Sequence, residues 1–265
     1  AKLEGQNPGG SVKDRPALFM IRGALARGEL RHDRKLIEAT SGNTGIALAM
    51  ISRQMNVAIE LVMPEGSTIE RIKTMRAFGA EVTLTPADEG IEGSIEYVRE
   101  QEKSGSFLVL NQFSNPDNPR AHYETTAPEI WRDTAGAITH FIASMGTTGT
   151  IMGTSRFLKE KNPQIRIIGV QPAEGAQIPG IRKWPQEYVP KIYDPDRVNQ
   201  LFFVNEAQAA LMARRLAEEE GIFAGLSSGG AVFAAAQIAR EIASGVLVCI
   251  VCDRGDRYLS SSLFA

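Results

Sequence analysis

Lys35-Leu36-Ile37-Glu38-Ala39-Thr40-Ser41-Gly42-Asn43-Thr44-Gly45 sets the architecture of this chain. It starts as a strand over Lys35–Ala39, turns on small polar residues, and opens a small-residue helix over Thr44–Arg53. The same order repeats outward from it. Further strands are expected at Val57–Met63, Glu81–Thr85, Ser106–Leu110, Thr139–Ala143, Arg166–Val170 and Val246–Cys252, where apolar runs are short and continuous. Helical spacing is expected over Val12–Ala26, Ile69–Phe78, Ile91–Glu102, Ala127–Asp133, Thr150–Lys161, Glu206–Glu220 and Gly229–Ile242. Alternating strands and helices, with Val/Ile/Leu-rich strands, imply an α/β protein with buried parallel sheet. Asn115-Pro116-Asp117-Asn118-Pro119 is the strongest break. It divides an expected N-terminal domain, 1–118, from an expected C-terminal one, 119–265. Glu174 to Arg197 is rich in Gly and Pro with little periodicity, as functional loops in α/β domains often are.

The 265 residues are 43% hydrophobic, enough for a sizeable core in one large or two medium domains. The net charge is −2, with no basic block, so neither nucleic acid nor an acidic membrane surface is an expected partner. The longest apolar stretch, Val246 to Cys252, suits a buried strand and is far short of a membrane span. No charged region followed by an apolar one opens the chain, so no secretion signal is read; the sequence begins at Ala1 without an initiator Met. Cys249 and Cys252 have Cys-x-x-Cys spacing, which suggests a redox pair or half a zinc site. On a strand, however, residues three apart point to opposite faces. Two reduced thiols in a cytoplasmic protein are the expectation.

Lys13 is the most informative single residue. Lys2-Leu3-Glu4 reads as the tail of a strand and Gly5 to Gly10 as a turn. Ser11 is a good N-cap with Asp14 three residues on, as in a capping box, which puts Lys13 in the first helical turn. A cation there faces the positive end of the helix dipole, which disfavours the ammonium form. Lysines with a depressed pKa form imines with carbonyl compounds. Most lysines are simply solvated surface residues, and Lys13 alone does not outweigh that reading.

Four further motifs shift the balance. In Thr40–Gly45, hydroxyl and amide side chains at a helix start, with glycines allowing close approach, suit a carboxylate; an ordinary capped connection looks the same. Gly146-Thr147-Thr148-Gly149-Thr150 precedes another helix, and its bared N–H groups and hydroxyls fit a phosphate monoester. It has neither the Gly-Lys-Ser/Thr ending of an NTP-binding loop nor Gly-x-Gly-x-x-Gly spacing. In Gly225-Leu226-Ser227-Ser228-Gly229-Gly230 a serine serves either as N-cap or as a hydroxyl facing a ligand heteroatom. Cys252-Asp253-Arg254-Gly255-Asp256-Arg257-Tyr258 leaves the C-terminal end of an expected central strand, where open α/β sheets place ligands; its Asp and Arg serve equally well as a structural ion-pair cluster. The three histidines form neither a Ser-His-Asp set nor a metal constellation: His32 lies in a charged turn, His140 inside an apolar strand, and His122 beside Tyr123 in the Pro-rich crossing.

Taken in order, Lys13 in Gly10-Ser11-Val12-Lys13-Asp14-Arg15, then Thr40–Gly45, Gly146–Thr150 and Gly225–Gly229, resemble the fold-type II pyridoxal phosphate enzymes, specifically the cysteine synthase (O-acetylserine sulfhydrylase) family. Met63-Pro64-Glu65, Glu70-Arg71 and Ala77-Phe78-Gly79-Ala80-Glu81-Val82 extend the likeness over essentially the whole chain. Gly146–Thr150, Arg182-Lys183-Trp184-Pro185 and Cys252–Ser260 are most similar to the B type of that family. The resemblance implies two three-layer α/β domains with mainly parallel sheets, of the tryptophan synthase β-like kind. The family's usual strand and Ile-Gly-Asn-Thr-Pro-Leu segment ahead of the lysine motif are missing, so the chain is expected to be trimmed or to lack part of the usual first domain and dimer contacts.

The resemblance also implies roles. Lys13 carries pyridoxal 5'-phosphate as an internal aldimine and, once displaced, removes the substrate α-proton. Gly146, Thr147, Thr148, Gly149 and Thr150 hold the cofactor phosphate, Asn43 its ring oxygen, and Ser227 faces its pyridine nitrogen. Thr40, Ser41, Gly42, Thr44 and Gln112 grip the substrate carboxylate, and Arg182 and Cys252 shape the pocket of the second substrate. The implied reaction makes L-cysteine, or S-sulfocysteine, from O-acetyl-L-serine and sulfide or thiosulfate through an α-aminoacrylate, in a cytoplasmic homodimer. Other fold-type II replacement or elimination enzymes, of the cystathionine β-synthase or dehydratase type, and a catalytically silent regulatory paralogue remain the alternatives.

Overall fold

The computed structural model describes residues 1–31, 33–40 and 42–264; His32 and Ser41 lie outside them. In chain order the strands are β1 (Lys2–Leu3), β2 (Lys35–Ala39), β3 (Ile59–Pro64), β4 (Glu81–Thr85), β5 (Phe107–Leu108), β6 (His140–Ser144), β7 (Arg166–Pro172), β8 (Gln200–Val204) and β9 (Leu247–Val251). The α-helices are α1 (Asp14–Ala26), α2 (Asn43–Gln54), α3 (Ile69–Ala77), α4 (Gly90–Glu102), α5 (Asp117–Ala121), α6 (Ala127–Asp133), α7 (Gly149–Lys161), α8 (Glu206–Glu220) and α9 (Leu226–Glu241). They form two compact units, one of Asn7–Asp117 and one of Ala1–Gln6 with Asn118–Ala265.

Asn7–Asp117 holds a four-stranded parallel sheet, ordered β4-β3-β2-β5. Successive side chains on a strand face opposite sides, and each side here has its own core. Leu36, Leu61 and Met63 pack with Met20 and Ile21 of α1, Ile46 and Leu48 of α2, and Met75 of α3. Ile37 and Val62 pack on the other side with Val98 of α4. That two-sided burial is why the strands read as continuous apolar runs.

The second unit holds a five-stranded parallel sheet, ordered β1-β9-β6-β7-β8. The first residues of the chain join it because Lys2 pairs with Ile250 and Leu3 with Val251. Ile142, Ile168 and Val170 pack on Ala209 of α8 and on Ala231, Ala234 and Ile238 of α9. Small residues let α8 and α9 approach closely: a Cβ on Gly229 would collide with the carbonyl oxygen of Ala209. α8 begins with a complete capping box, Asn205 and Gln208 exchanging side-chain and backbone bonds, and ends at Gly221 in the left-handed region (φ 65°).

Two local expectations differ from the structure. β8 was not anticipated; it is an edge strand with Leu201 and Phe203 exposed, so it lacks the continuous burial that marks its neighbours. The Pro-rich crossing is helical: α5 runs straight into a π-helical turn, His122–Thr126. Pro119 sits at the third position of α5, where its missing N–H breaks no helical bond. Between β7 and β8, as expected, there is no longer element than two short 3-10 turns, Gln186–Tyr188 and Pro195–Arg197.

Candidate active site

The lysine loop is built on glycine and serine. Gly10 takes φ 80° and closes a turn by donating to the Asn7 carbonyl at 2.7 Å. The Asn7 amide donates to the Ser11 carbonyl at 3.2 Å. The capping expectation is corrected: Lys13, not Ser11, is the N-cap residue of α1. Ser11 instead accepts the Lys13 N–H on its Oγ at 3.2 Å, and Asp14 reaches back to accept the Gly9 N–H at 2.5 Å. Lys13 therefore stands one residue ahead of the first turn, still at the positive end of a 13-residue helix.

In the same unit, the Thr40 N–H donates to the Val62 carbonyl at 2.9 Å, holding the chain to β3 until the loop begins. α2 then starts as Gly45 and Ile46 donate to the Gly42 carbonyl at 3.0 and 3.3 Å. Gly45 is required by packing, because a Cβ there would sit 2.7 Å from Met75 Cε and Thr40 Cγ2. Asn43 opens α2 and Thr44 follows it. The Thr44 hydroxyl donates to Gln112 Oε1 at 2.9 Å, and both side chains are buried. Thr40, Gly42, Asn43, Thr44 and Gln112 are thus described within this unit together with Lys13; Ser41 lies outside the described residues.

The other unit carries the glycine-threonine turn. It follows β6 and leads into α7, with Thr148 as N-cap at φ 72°. That left-handed conformation is costly for a β-branched residue and calls for a reason. Thr148 is 4% exposed, and its Oγ1 is buried without a hydrogen-bond partner among the described residues. Thr147 Oγ1 accepts from the Asn118 amide at 3.1 Å and from the Gly149 N–H at 3.4 Å. A Cβ on Gly149 would overlap the Asn118 carboxamide. Thr150 Oγ1 lies 3.3 Å from His122 Nε2, whose Nδ1 is 2.9 Å from Thr126 Oγ1. An unpaired buried hydroxyl in a glycine-lined turn at the start of a long helix fits a phosphate group.

Arg182 and Trp184 are tied to the root of that turn. The Arg182 N–H donates to the Met145 carbonyl at 2.7 Å, and Trp184 Nε1 donates to the Gly146 carbonyl at 2.8 Å. The exposed Arg182 guanidinium stacks 5.1 Å from the Trp184 ring centre. Gly180, at φ 88°, brings the backbone close to Ser227; a Cβ there would lie 3.1 Å from Ser227 Cβ.

Neither serine of Gly225–Gly230 is the N-cap, which is Gly225. Ser228 Oγ accepts the Cys252 N–H at 2.8 Å. Ser227 is 4% exposed, and its carbonyl accepts from Ser144 Oγ at 2.7 Å. Cys249 is buried on β9 and Cys252 is half-buried just beyond it, neither in a disulfide; burial pushes the Cys249 thiol up. In the motif that follows, Tyr258 donates to the buried Asp253 carboxylate at 2.7 Å. His140 lies on β6, half-buried, with Nδ1 2.8 Å from Thr139 Oγ1.

One residue escaped the sequence reading. Glu38, the penultimate residue of β2, is 5% exposed. The only signal was an acidic residue inside an apolar run, two positions ahead of Thr40.

Residues 1–253 match the family model described as pyridoxal-phosphate dependent enzyme. The chain is 57% identical to cysteine synthase B of Pseudomonas aeruginosa over 263 residues, covering 99% of this chain and 88% of that protein. It is 52% identical to cysteine synthase B of Salmonella typhimurium over 263 residues, 99% of this chain and 87% of that one. Among solved structures, cysteine synthase from Entamoeba histolytica superposes with a TM-score of 0.94 at 39% identity, covering 99% of this chain and 81% of that one. Family model, relatives and parallel α/β architecture agree: the chain belongs to the pyridoxal-phosphate dependent enzymes, in the cysteine synthase family.

Proposed function

We propose that this enzyme replaces the acetate of O-acetyl-L-serine with a sulfur nucleophile. Sulfide gives L-cysteine and acetate; thiosulfate gives S-sulfocysteine and acetate. The observation that carries the reading is the buried, unpaired Thr148 hydroxyl at the N-terminus of α7, in a chain more than half identical to two cysteine synthases B. Bound pyridoxal phosphate supplies an electron sink conjugated to the substrate α-carbon.

The chain's own residues do the rest. Lys13 would hold the cofactor covalently, and its amine would serve as the base for the substrate α-proton. The N–H groups and hydroxyls of Gly146–Thr150 would bind the phosphate, and Asn43 would hydrogen-bond the ring oxygen. Ser227 would offer the ring nitrogen a neutral hydroxyl. Unlike an aspartate it does not force a proton onto that nitrogen, so charge is expelled with acetate instead of being stored, which favours elimination over transamination. Thr40, Ser41, Gly42, Thr44 and Gln112 bind the substrate carboxylate. Arg182 and Cys252 face the sulfur donor; an exposed cation supported by Trp184 favours an anionic donor such as thiosulfate. A cytoplasmic homodimer completes the reading, supported by the family resemblance.

Absorption spectroscopy tests it. The purified protein with pyridoxal phosphate should show a visible cofactor band that shifts on adding O-acetylserine and returns with sulfide or thiosulfate. Borohydride reduction should then place a stoichiometric adduct on Lys13. A protein that stays colourless with added cofactor, or an adduct on another lysine, would overturn the assignment. R182A that retains an unchanged preference for thiosulfate over sulfide would remove the role given to Arg182.

A further inference from the structure

We propose that Glu38 is a positioning residue for substrate binding, its buried carboxylate holding the turn that presents Gln112. The inference rests on the reading of Gln112 as a ligand of the substrate carboxylate, and it assigns the machinery that sets Gln112 in place.

The argument begins where the sheet stops. β5 pairs with β2 only at Phe107 beside Lys35 and Leu108 beside Leu36. Past Leu108 the chain leaves the ladder, and its N–H groups need other acceptors. Glu38 supplies them. Its Oε2 accepts the Leu110 N–H at 3.1 Å, and the next two N–H groups, of Asn111 and Gln112, favour the charged form of the carboxylate. Asn111 turns the chain at φ 52° just after that bond, and successive N–H groups in such a turn favour a negative charge beside them. The opposite edge of the turn is tied as well: the Asn115 amide donates to the Leu110 carbonyl at 2.8 Å, and Ser114 and Asn115 N–H groups donate to the Asn111 carbonyl at 3.0 and 2.9 Å.

Gln112 leaves this turn buried and receives the Thr44 hydroxyl at 2.9 Å. Glu38 therefore links the end of β2, the Gln112 turn and the first turn of α2, and it stands two residues before Thr40. Burial works against its charge and pushes the carboxyl up to about 7, with repulsion from Glu102 adding to the effect, while the three N–H groups act in the opposite direction. A buried carboxylate is a poor device for stability alone. Its value here is directional: it fixes the Leu110 amide at the entry of the turn, and with it the origin of the Gln112 side chain.

The test is a double-mutant cycle on the holoenzyme with O-acetylserine as the varied substrate. E38Q keeps the size of the side chain but offers one acceptor, and an amide that opposes the N–H groups of the turn. The expected result is a KM raised roughly tenfold with kcat within about twofold, and an unaltered cofactor spectrum. Q112A should raise KM similarly, and the double variant should be no worse than Q112A alone, because Glu38 acts through Gln112. Fully additive effects, or an unchanged KM in E38Q beside a raised one in Q112A, would overturn the proposal while leaving the substrate reading of Gln112 intact. An unchanged KM in Q112A would remove that reading and the proposal with it. If E38Q does not fold, N115A, which frees the other edge of the turn, must still raise KM, and an unchanged value there refutes the positioning role.

Discussion

Glu38 should make this protein lose stability as pH rises, and glutamine should abolish that loss. Burial lifts its carboxyl from 4.5 to about 7. A shift of one unit is worth about 1.4 kcal/mol, so ionising Glu38 in the folded chain removes about 3 kcal/mol relative to ionising it in the unfolded chain. The folded value lies above the unfolded one. The stabilisation is therefore whole below the unfolded value of 4.5 and is lost as pH climbs through about 7. Between about pH 5 and about pH 8 roughly 2 to 3 kcal/mol should disappear from the parent protein. E38Q has no proton to lose at this position, and other titrating groups contribute alike to both proteins. With an unfolding entropy of about 2.1 cal/mol/K per residue over 265 residues, the gap between the two melting temperatures should move by roughly 4–5 °C in favour of E38Q over that range. Calorimetry at four pH values with saturating pyridoxal phosphate measures it. A gap that stays constant with pH, or that moves in favour of the parent, refutes the reasoning. Together with the kinetic cycle, this predicts a variant that gains alkaline stability while it loses substrate affinity.

Three other expectations follow from the same geometry. T148G relieves a left-handed threonine, worth about 1 kcal/mol, so the cofactor-free protein should melt slightly higher while its affinity for pyridoxal phosphate falls; a titration showing unaltered affinity would remove Thr148 from the phosphate site. G149A forces a methyl into the Asn118 carboxamide and should cost about 2–3 kcal/mol with loss of cofactor binding, read by melting and by the visible band. Native protein treated with iodoacetamide should be alkylated first at Cys252, because Cys249 is buried and its thiol is pushed up; peptide mapping that finds Cys249 modified first would contradict the packing around β9.

Local pattern determined much of this molecule. Lys35–Ala39 and Glu81–Thr85 were legible end to end, and so were Ala127–Asp133 and Glu206–Glu220, because short-range physics makes them: an apolar, buried middle in Lys35–Ala39, β-branched residues in Glu81–Thr85, and in Glu206–Glu220 a capping box closed by a left-handed glycine. The lysine, carboxylate-loop and phosphate-turn motifs were also readable, since bare N–H groups at helix starts leave a signature of Gly, Ser and Thr at fixed offsets. What pattern missed is instructive. β8 is paired on one side only and exposes Leu201 and Phe203, so it resembled the irregular segment before it. Nothing in Lys2-Leu3 announces that its partners are Ile250-Val251.

The remaining facts arise from residues far apart in sequence meeting in space. Ser227 and Ser228 look equivalent along the chain; packing commits Ser228 to the Cys252 N–H, 24 residues on. Thr148 reads as one threonine among three, and only the turn between β6 and α7 makes it left-handed, buried and unpaired. Glu38 passes as a polar residue in a strand until the chain 72 positions later leaves the sheet and turns the Leu110 N–H onto the carboxylate. Sequence by itself specified which groups are present and which elements carry them, because propensity and hydrophobic periodicity act over a few residues. The tertiary fold assigned their hydrogen-bond partners and charge states, because burial, desolvation and long-range pairing exist only once the sheets have closed.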